Sequence, residues 1–240
     1  MTQIKLLSRT AILVFALALA LVSLSGYFLR ARSQEYSDGF EDDGRPGQRV
    51  EGGSRDGNCP DTTDSKLTAL MPGSSSGRTV NPHPTFWFYV PFSARNNISG
   101  EFVLQDENRR NIDGYPKAFS LREETGIVGF RHAAPKPLAA DTRYLWYFKL
   151  YCNPQKNTYV YVNGSVRVVP SSPELTGQLS RENLDYIAYQ ESQIWFDTLT
   201  DLALRRLEED NAKLRQDWSE LLRIVGLEDL EDKPIVGELD

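Results

Sequence analysis

The hydrophobic period of this chain changes once, at Pro170. Before that point, short runs rich in β-branched and aromatic residues alternate with turn clusters. After it, apolar residues recur at helical spacing. A chain written this way must build its core from strands first and helices second. The β-rich runs fall at residues 67–71, 85–90, 101–105, 118–121, 126–131, 143–151 and 158–169. Their separators are Pro72-Gly73-Ser74, Asn96-Asn97, Asp106-Glu107-Asn108, Pro135-Lys136-Pro137 and Asn153-Pro154. About seven strands at such spacing predict an antiparallel two-sheet sandwich over residues 61–172. Asn163-Gly164, inside the last run, reads either as a bulge within one strand or as a tight turn between two.

Leu138-Ala139-Ala140-Asp141-Thr142-Arg143-Tyr144 leads into the run Trp146-Tyr147-Phe148. It resembles the tyrosine corner of fibronectin type III and related domains, in which a phenol hydroxyl bonds back to the turn's backbone. Ala140 stands where that pattern usually has Pro. The expected fold class is therefore α+β, mainly β: an Ig/fibronectin-III-like sandwich followed by a helical cap.

The cap is expected over residues 173–227. Ser172-Pro173-Glu174 has the form of an N-cap, a first helical Pro and a first-turn acid. Three helices are predicted, near 181–191, 194–208 and 211–225. In the last, Leu214, Trp218, Leu221, Leu222 and Val225 form one apolar stripe, and Gly226 occupies the C′ position of a helix end. Tyr186, Ala188, Tyr189, Trp195 and Phe196 also fit a degenerate tetratricopeptide rhythm. Residues 228–240 read as an acidic tail.

Phe86-Trp87-Phe88-Tyr89 places large rings on both faces of one strand, and residues 144–151 do nearly the same. A half-exposed strand alternates apolar and polar residues. Two apolar faces call for two coverings: the opposing sheet, and then the helical tail, a partner or a flat glycan. Trp87, Tyr89, Tyr159 and Tyr161 are accordingly the candidate contact residues.

At the amino end, Lys5 and Arg9 precede an apolar run from Ala11 to Leu24, with Ser23, Ser25 and Gly26 as small residues. That is the layout of a secretory signal. The apolar character continues to Leu29, long enough for an uncleaved anchor. Either reading of residues 1–29 places the rest of the chain outside the cytoplasm. Membrane contact is expected only through residues 11–29. Residues 30–60, rich in Gly, Asp, Glu, Arg and Ser, read as a flexible tether.

Charge follows the same division. Residues 60–172 carry a net +4 and residues 173–240 a net −10, within a total of −6. That balance argues against a nucleic-acid partner. Only two cysteines and two histidines are present, so a zinc ribbon and a multi-histidine metal centre are excluded. Gly73-Ser74-Ser75-Ser76-Gly77 matches a nucleophile elbow in letters, but Arg78-Thr79-Val80-Asn81-Pro82 after it cannot start the helix that an elbow requires. His83 lies between two prolines, and His132 ends a run. The acids Asp106, Glu107 and Asp113 fit no EF-hand spacing. No catalytic residue, metal ligand or cofactor is expected. In an exported chain Cys59 and Cys152 read first as a disulfide, with a partner disulfide or free thiols as the rivals.

Taken with Cys59, several motifs combine: Arg49-Val50-Glu51-Gly52-Gly53, Pro84-Thr85-Phe86-Trp87-Phe88-Tyr89-Val90-Pro91, Glu101-Phe102-Val103-Leu104, Tyr147-Phe148-Lys149-Leu150-Tyr151-Cys152-Asn153-Pro154, and a tail with Ile194-Trp195-Phe196-Asp197 and Trp218-Ser219-Glu220-Leu221-Leu222. This combination resembles the DUF928 family over roughly residues 45–235. The resemblance implies a cyanobacterial, exported protein and brings no reaction with it. The functional expectation is a non-enzymatic, extracytoplasmic interaction or structural module of the bacterial cell envelope, located in the periplasm or at the cell surface. Its partner would be an envelope protein or, alternatively, a glycan.

Overall fold

The computed structural model describes residues 47–52, 59, 65–94, 97–181 and 184–239. The expected signal or anchor at 1–29 and the first part of the tether lie outside them. No helix among the described residues is long and apolar enough to cross a membrane.

The described residues are mainly β, with two sheets and four helices. The strands are β1 (Thr68–Ala69), β2 (Ser76–Thr79), β3 (Thr85–Val90), β4 (Ser99–Gln105), β5 (Lys117–Ser120), β6 (Gly126–Arg131), β7 (Thr142–Tyr151), β8 (Tyr159–Val168) and β9 (Ile235–Glu238). The helices are α1 (Pro173–Leu179), α2 (Asp185–Glu191), α3 (Trp195–Glu208) and α4 (Ala212–Ile224), and a 3-10 turn spans Glu228–Leu230. One sheet has the order β1-β3-β6-β9 and the other β2-β8-β7-β4-β5.

Alternation along the strands sends one face of each sheet toward the other. Phe88 stacks on Phe148 with ring centroids 4.0 Å apart, and Phe102 stacks on Phe130 at 4.3 Å. Trp146 and Phe86 fill the space beside them at 5.9 Å. Tyr144 opens β7 with its hydroxyl accepting from the Ala139 N–H at 2.9 Å, the back-bond expected of the corner motif. Ala140 in place of Pro does not prevent it.

The second face of β3 is covered by helix. α3 packs across β2, β3 and β9. Its buried stripe holds Trp195, Phe196, Leu199, Leu202 and Ala203. Trp195 Nε1 donates to the Leu70 carbonyl at 3.0 Å. α4 buries Leu214, Trp218, Leu221 and Leu222, the stripe read from sequence. Gly226 stands at φ 67°, where a Cβ would be strained. Leu227 N–H bonds the Leu222 carbonyl at 2.9 Å and Gly226 N–H that of Arg223 at 3.1 Å, a Schellman end.

Several expectations are corrected. The sheets are not wholly antiparallel, because β2 runs parallel to β8 and β9 parallel to β6. Neither short strand has a hydrophobic alternation of its own, and each forms by lying against a longer partner. Asn163-Gly164 is neither bulge nor turn: β8 continues through it in register with β7. The glycine is needed for space, since a Cβ there would stand 2.3 Å from the Ser75 carbonyl oxygen and 2.5 Å from the Trp146 ring. Four helices replace three, because Ser172 caps a separate α1 through Leu175 N–H at 3.1 Å. The acidic tail contains β9. The tether gains structure before its expected end at residue 60: Gln48 pairs with Asn163 of β8 and Val50 with Thr68 of β1. Between them, Arg49 donates to the Met71 and Val225 carbonyls at 3.2 and 2.6 Å.

Candidate functional site

Helices cover the outer face of the four-stranded sheet. On the five-stranded sheet, the outward positions of β7 and β8 carry a cluster of tyrosines. Tyr147, Lys149 and Tyr151 alternate outward on β7, and Tyr159 and Tyr161 on β8. The ladder sets Tyr151 opposite Tyr159, Lys149 opposite Tyr161 and Tyr147 opposite Asn163. The rings of Tyr151 and Tyr159 are 5.6 Å apart, and those of Tyr159 and Tyr161 6.0 Å. Lys156 Nζ lies 5.1 Å from the Tyr151 ring, within cation–π reach. Tyr159 is 44% exposed and Tyr161 half-buried.

Glu101 on β4 orders this patch. It accepts from the Tyr151 hydroxyl at 3.0 Å and pairs with Lys149 at 3.4 Å. Burial, together with the Glu101 carboxylate, pushes the Tyr151 phenol up to about 12.

The four candidate contact residues separate. Tyr159 and Tyr161 lie on this surface. Trp87 and Tyr89 do not: they are 2% and 6% exposed, turned outward from β3 and then covered. Trp87 Nε1 donates to Thr200 Oγ1 at 3.1 Å, and Lys233 Nζ sits 5.5 Å from the Tyr89 ring. A double aromatic face thus marked a strand buried on both sides. Tyr147 and Tyr151 were not singled out from sequence, although their period-two spacing with Lys149 was the available signal.

Cys59 and Cys152 are bonded, with Cα atoms 5.1 Å apart. The bond fastens Cys59 to the end of β7, beside the tyrosine patch.

Two polar clusters could be mistaken for active sites. His132 is fully buried. Its Nε2 donates to the Lys136 carbonyl at 3.2 Å, which leaves Nδ1 to accept from the Tyr115 hydroxyl at 2.7 Å. His83 stacks on it at 5.3 Å and donates from Nδ1 to its carbonyl. Burial lowers the His132 pKa and pushes the Tyr115 phenol up to about 12. Both imidazole nitrogens are thus occupied within the fold.

The second cluster is a cleft of about 160 Å³ beside α3, lined by Thr79, Asp185, Tyr189, Asp197, Thr200 and Asp201 among others. Asp197 Oδ2 accepts from Thr79 Oγ1 at 2.7 Å and Val80 N–H at 3.2 Å, and burial raises its pKa to about 6. Asp201 accepts from Tyr186 N–H and pairs with Arg205 at 2.7 Å. These carboxylates fasten α3 to β2 and to α2. No group of three or more His, Cys, Asp or Glu side chains with metal-holding geometry occurs among the described residues.

Fold and surface together define a disulfide-linked, mainly β protein of two sheets, with helices over one sheet and a tyrosine patch on the other. The chain belongs to the DUF928 family, described as a Domain of Unknown Function, whose model matches residues 50–235. No curated protein and no solved structure matches it.

Proposed function

We propose that this chain is a non-enzymatic, extracytoplasmic interaction module of the bacterial cell envelope that binds a protein partner through the outer face of its five-stranded sheet. The observation that carries the reading is the ring cluster of Tyr151, Tyr159 and Tyr161, ordered by Glu101 and Lys149. Tyrosine held rigid on a sheet supplies contact area at low entropic cost and is enriched in binding hot spots. The disulfide fits an oxidising compartment. Residues 11–29 would act as the export signal or anchor.

The finer fold reading belongs to the same proposal. The sheet orders β1-β3-β6 and β2-β8-β7-β4-β5, with β2 running parallel to β8, fit the connectivity of an Ig/fibronectin-III-like sandwich. The Tyr144 back-bond supports it. In this reading β9 and the helices are additions that cap one sheet.

The test is capture from an envelope extract by the full chain and by a Tyr159→Ala/Tyr161→Ala variant. A partner recovered by the wild type and lost by the variant is the expected result. Equal recovery of every protein by both would remove the patch as the binding surface. Carbohydrate binding is the second reading, favoured by the exposed ring of Tyr159. It no longer draws on Trp87 or Tyr89.

A further inference from the structure

Trp87 and Tyr89 both turn outward from β3, but they are covered differently. Trp87 meets α3, whereas Tyr89 faces the segment that follows α4, with Lys233 Nζ 5.5 Å from its ring. Tyr89 and that segment line a cavity of about 570 Å³. Its floor is a row of side chains across three paired segments: Val50 is opposite Thr68, and Thr68 is opposite Tyr89. Leu227 and Leu230 give the wall its apolar part, and Lys66 and Lys233 bring ammonium groups to it. Small-molecule sites span about 300–1,000 Å³, whereas gaps in a packed interior are seldom larger than a water molecule. Size and mixed lining are those of a ligand site.

Among the described residues, the lining sets Arg49, Lys66 and Lys233 against a single acid, Asp229. Arg49 is committed to the fold. Its guanidinium donates to the Met71, Val225 and Gly226 carbonyls at 3.2, 2.6 and 3.3 Å, which holds the wall in place. The two lysines are not committed in this way. Among the described residues no carboxylate lies within ion-pair distance of either, and Asp229 pairs with neither. Glu228 acts on Arg49, and the buried Glu51 on Lys66, from beyond that distance. Lys233 is half-buried, and the Tyr89 ring beneath it is a weak partner for a charge taken partly out of water.

We propose that this cavity binds a small organic anion, with a carboxylate or phosphate head held by Lys66 and Lys233 and a flat apolar body over Tyr89, Leu227 and Leu230. Ammonium groups are compact point charges that suit an oxyanion of either shape. The head gives Lys233 the counter-charge that the fold does not. The Ser65 hydroxyl on the same wall is placed to donate to a further head oxygen. The body displaces water from the floor, which strengthens the pairing at the head. A neutral ligand of the same shape desolvates the ammonium groups and returns nothing to them. The tyrosine patch lies on the other sheet, and this site does not depend on it.

The test is calorimetric titration of the full chain with naphthoate, naphthyl phosphate, naphthylmethanol and naphthylmethylamine, which share one body and differ in charge. An anion binds, and its affinity falls as salt is raised. The tighter of the two anions identifies the head. The neutral and cationic analogues bind about tenfold more weakly, the worth of one hydrogen bond to a charged group. Lys66→Gln and Lys233→Gln each weaken the anion about fivefold. Lys66 is exposed, so its variant keeps the wild-type melting temperature and remains informative should Lys233→Gln loosen the cover of Tyr89. Val50→Trp fills the floor from an exposed position and abolishes binding. Tyr159→Ala/Tyr161→Ala binds as the wild type does, which separates this site from the protein-binding patch. Failure of both anions to bind, or equal affinity for the neutral analogue, would overturn the proposal. So would unchanged affinity in the folded Lys66→Gln and Val50→Trp variants, or tighter binding of the amine, which would make Asp229 the dominant charge.

Discussion

The indole N–H of Trp87 donates to the hydroxyl of Thr200 across 3.1 Å, joining the outer face of β3 to α3. This bond lets a tryptophan sit on the outer face of a sheet and still be buried. Thr200→Val should leave that N–H without an acceptor and cost about 1–3 kcal/mol. Trp87→Ala should cost about 3–5 kcal/mol. Urea denaturation measures both. A Thr200→Val midpoint equal to that of the wild type would show that the bond contributes nothing.

The Cys59–Cys152 bond closes a loop with a sequence separation of 93. Replacing both cysteines by serine should lower stability by about 4–5 kcal/mol on the chain-entropy account, and by less if the unfolded chain keeps structure. Peptide mapping under non-reducing conditions should recover the linked pair. Recovery of both thiols alkylated in the exported protein would reject the bond.

Asp197 should make stability fall as pH rises. Burial lifts its pKa from 3.8 to about 6 in the folded chain. The unfolded carboxyl therefore loses its proton first, and the contribution, present in full below pH 3.8, is lost as pH rises through about 6. The size is about 2–3 kcal/mol. Asp197→Asn should remove this slope. A carbon NMR titration showing Asp197 ionised below pH 4 would contradict it.

His132 acts with the opposite sign. Its folded pKa lies below the ordinary 6.5 because burial penalises the imidazolium. Nδ1 already accepts from Tyr115, and His83 stacks alongside. Stability from this group is therefore present above pH 6.5 and lost as pH falls through the lowered folded value. His132→Gln should flatten that acid limb. Melting curves of the Asp197 and His132 single variants from pH 4 to 8 separate the two slopes. A wild-type His132 titrating at or above pH 6.5 by proton NMR would refute the assignment.

Much of this architecture is legible in the sequence, and for a local reason. The runs rich in β-branched and aromatic residues became β3, β4, β6, β7 and β8, and in β7 and β8 the alternation already encodes which face is buried. Leu214, Trp218, Leu221 and Leu222 became the buried stripe of α4, and Gly226 its left-handed end. Tyr144 made its back-bond within six residues of its partner. Each of these features depends on near neighbours in the chain.

What the sequence could not specify depends on distant neighbours. β2 and β9 have no apolar alternation and exist by lying against β8 and β6. Gly164 looks like a turn until Ser75 and Trp146 are seen to press on it. Trp87 and Tyr159 are both aromatic residues on outward strand positions. One is buried and the other exposed because α3 crosses β3, where Trp87 donates to Thr200, while Tyr159 on β8 stays 44% exposed. Arg78, Arg143 and Arg167 are far apart in the sequence and are made adjacent by strand register. Local patterning thus determined the elements and their inner faces. Tertiary packing alone decided which outer face stayed open, because that depends on where a helix more than a hundred residues away comes to rest.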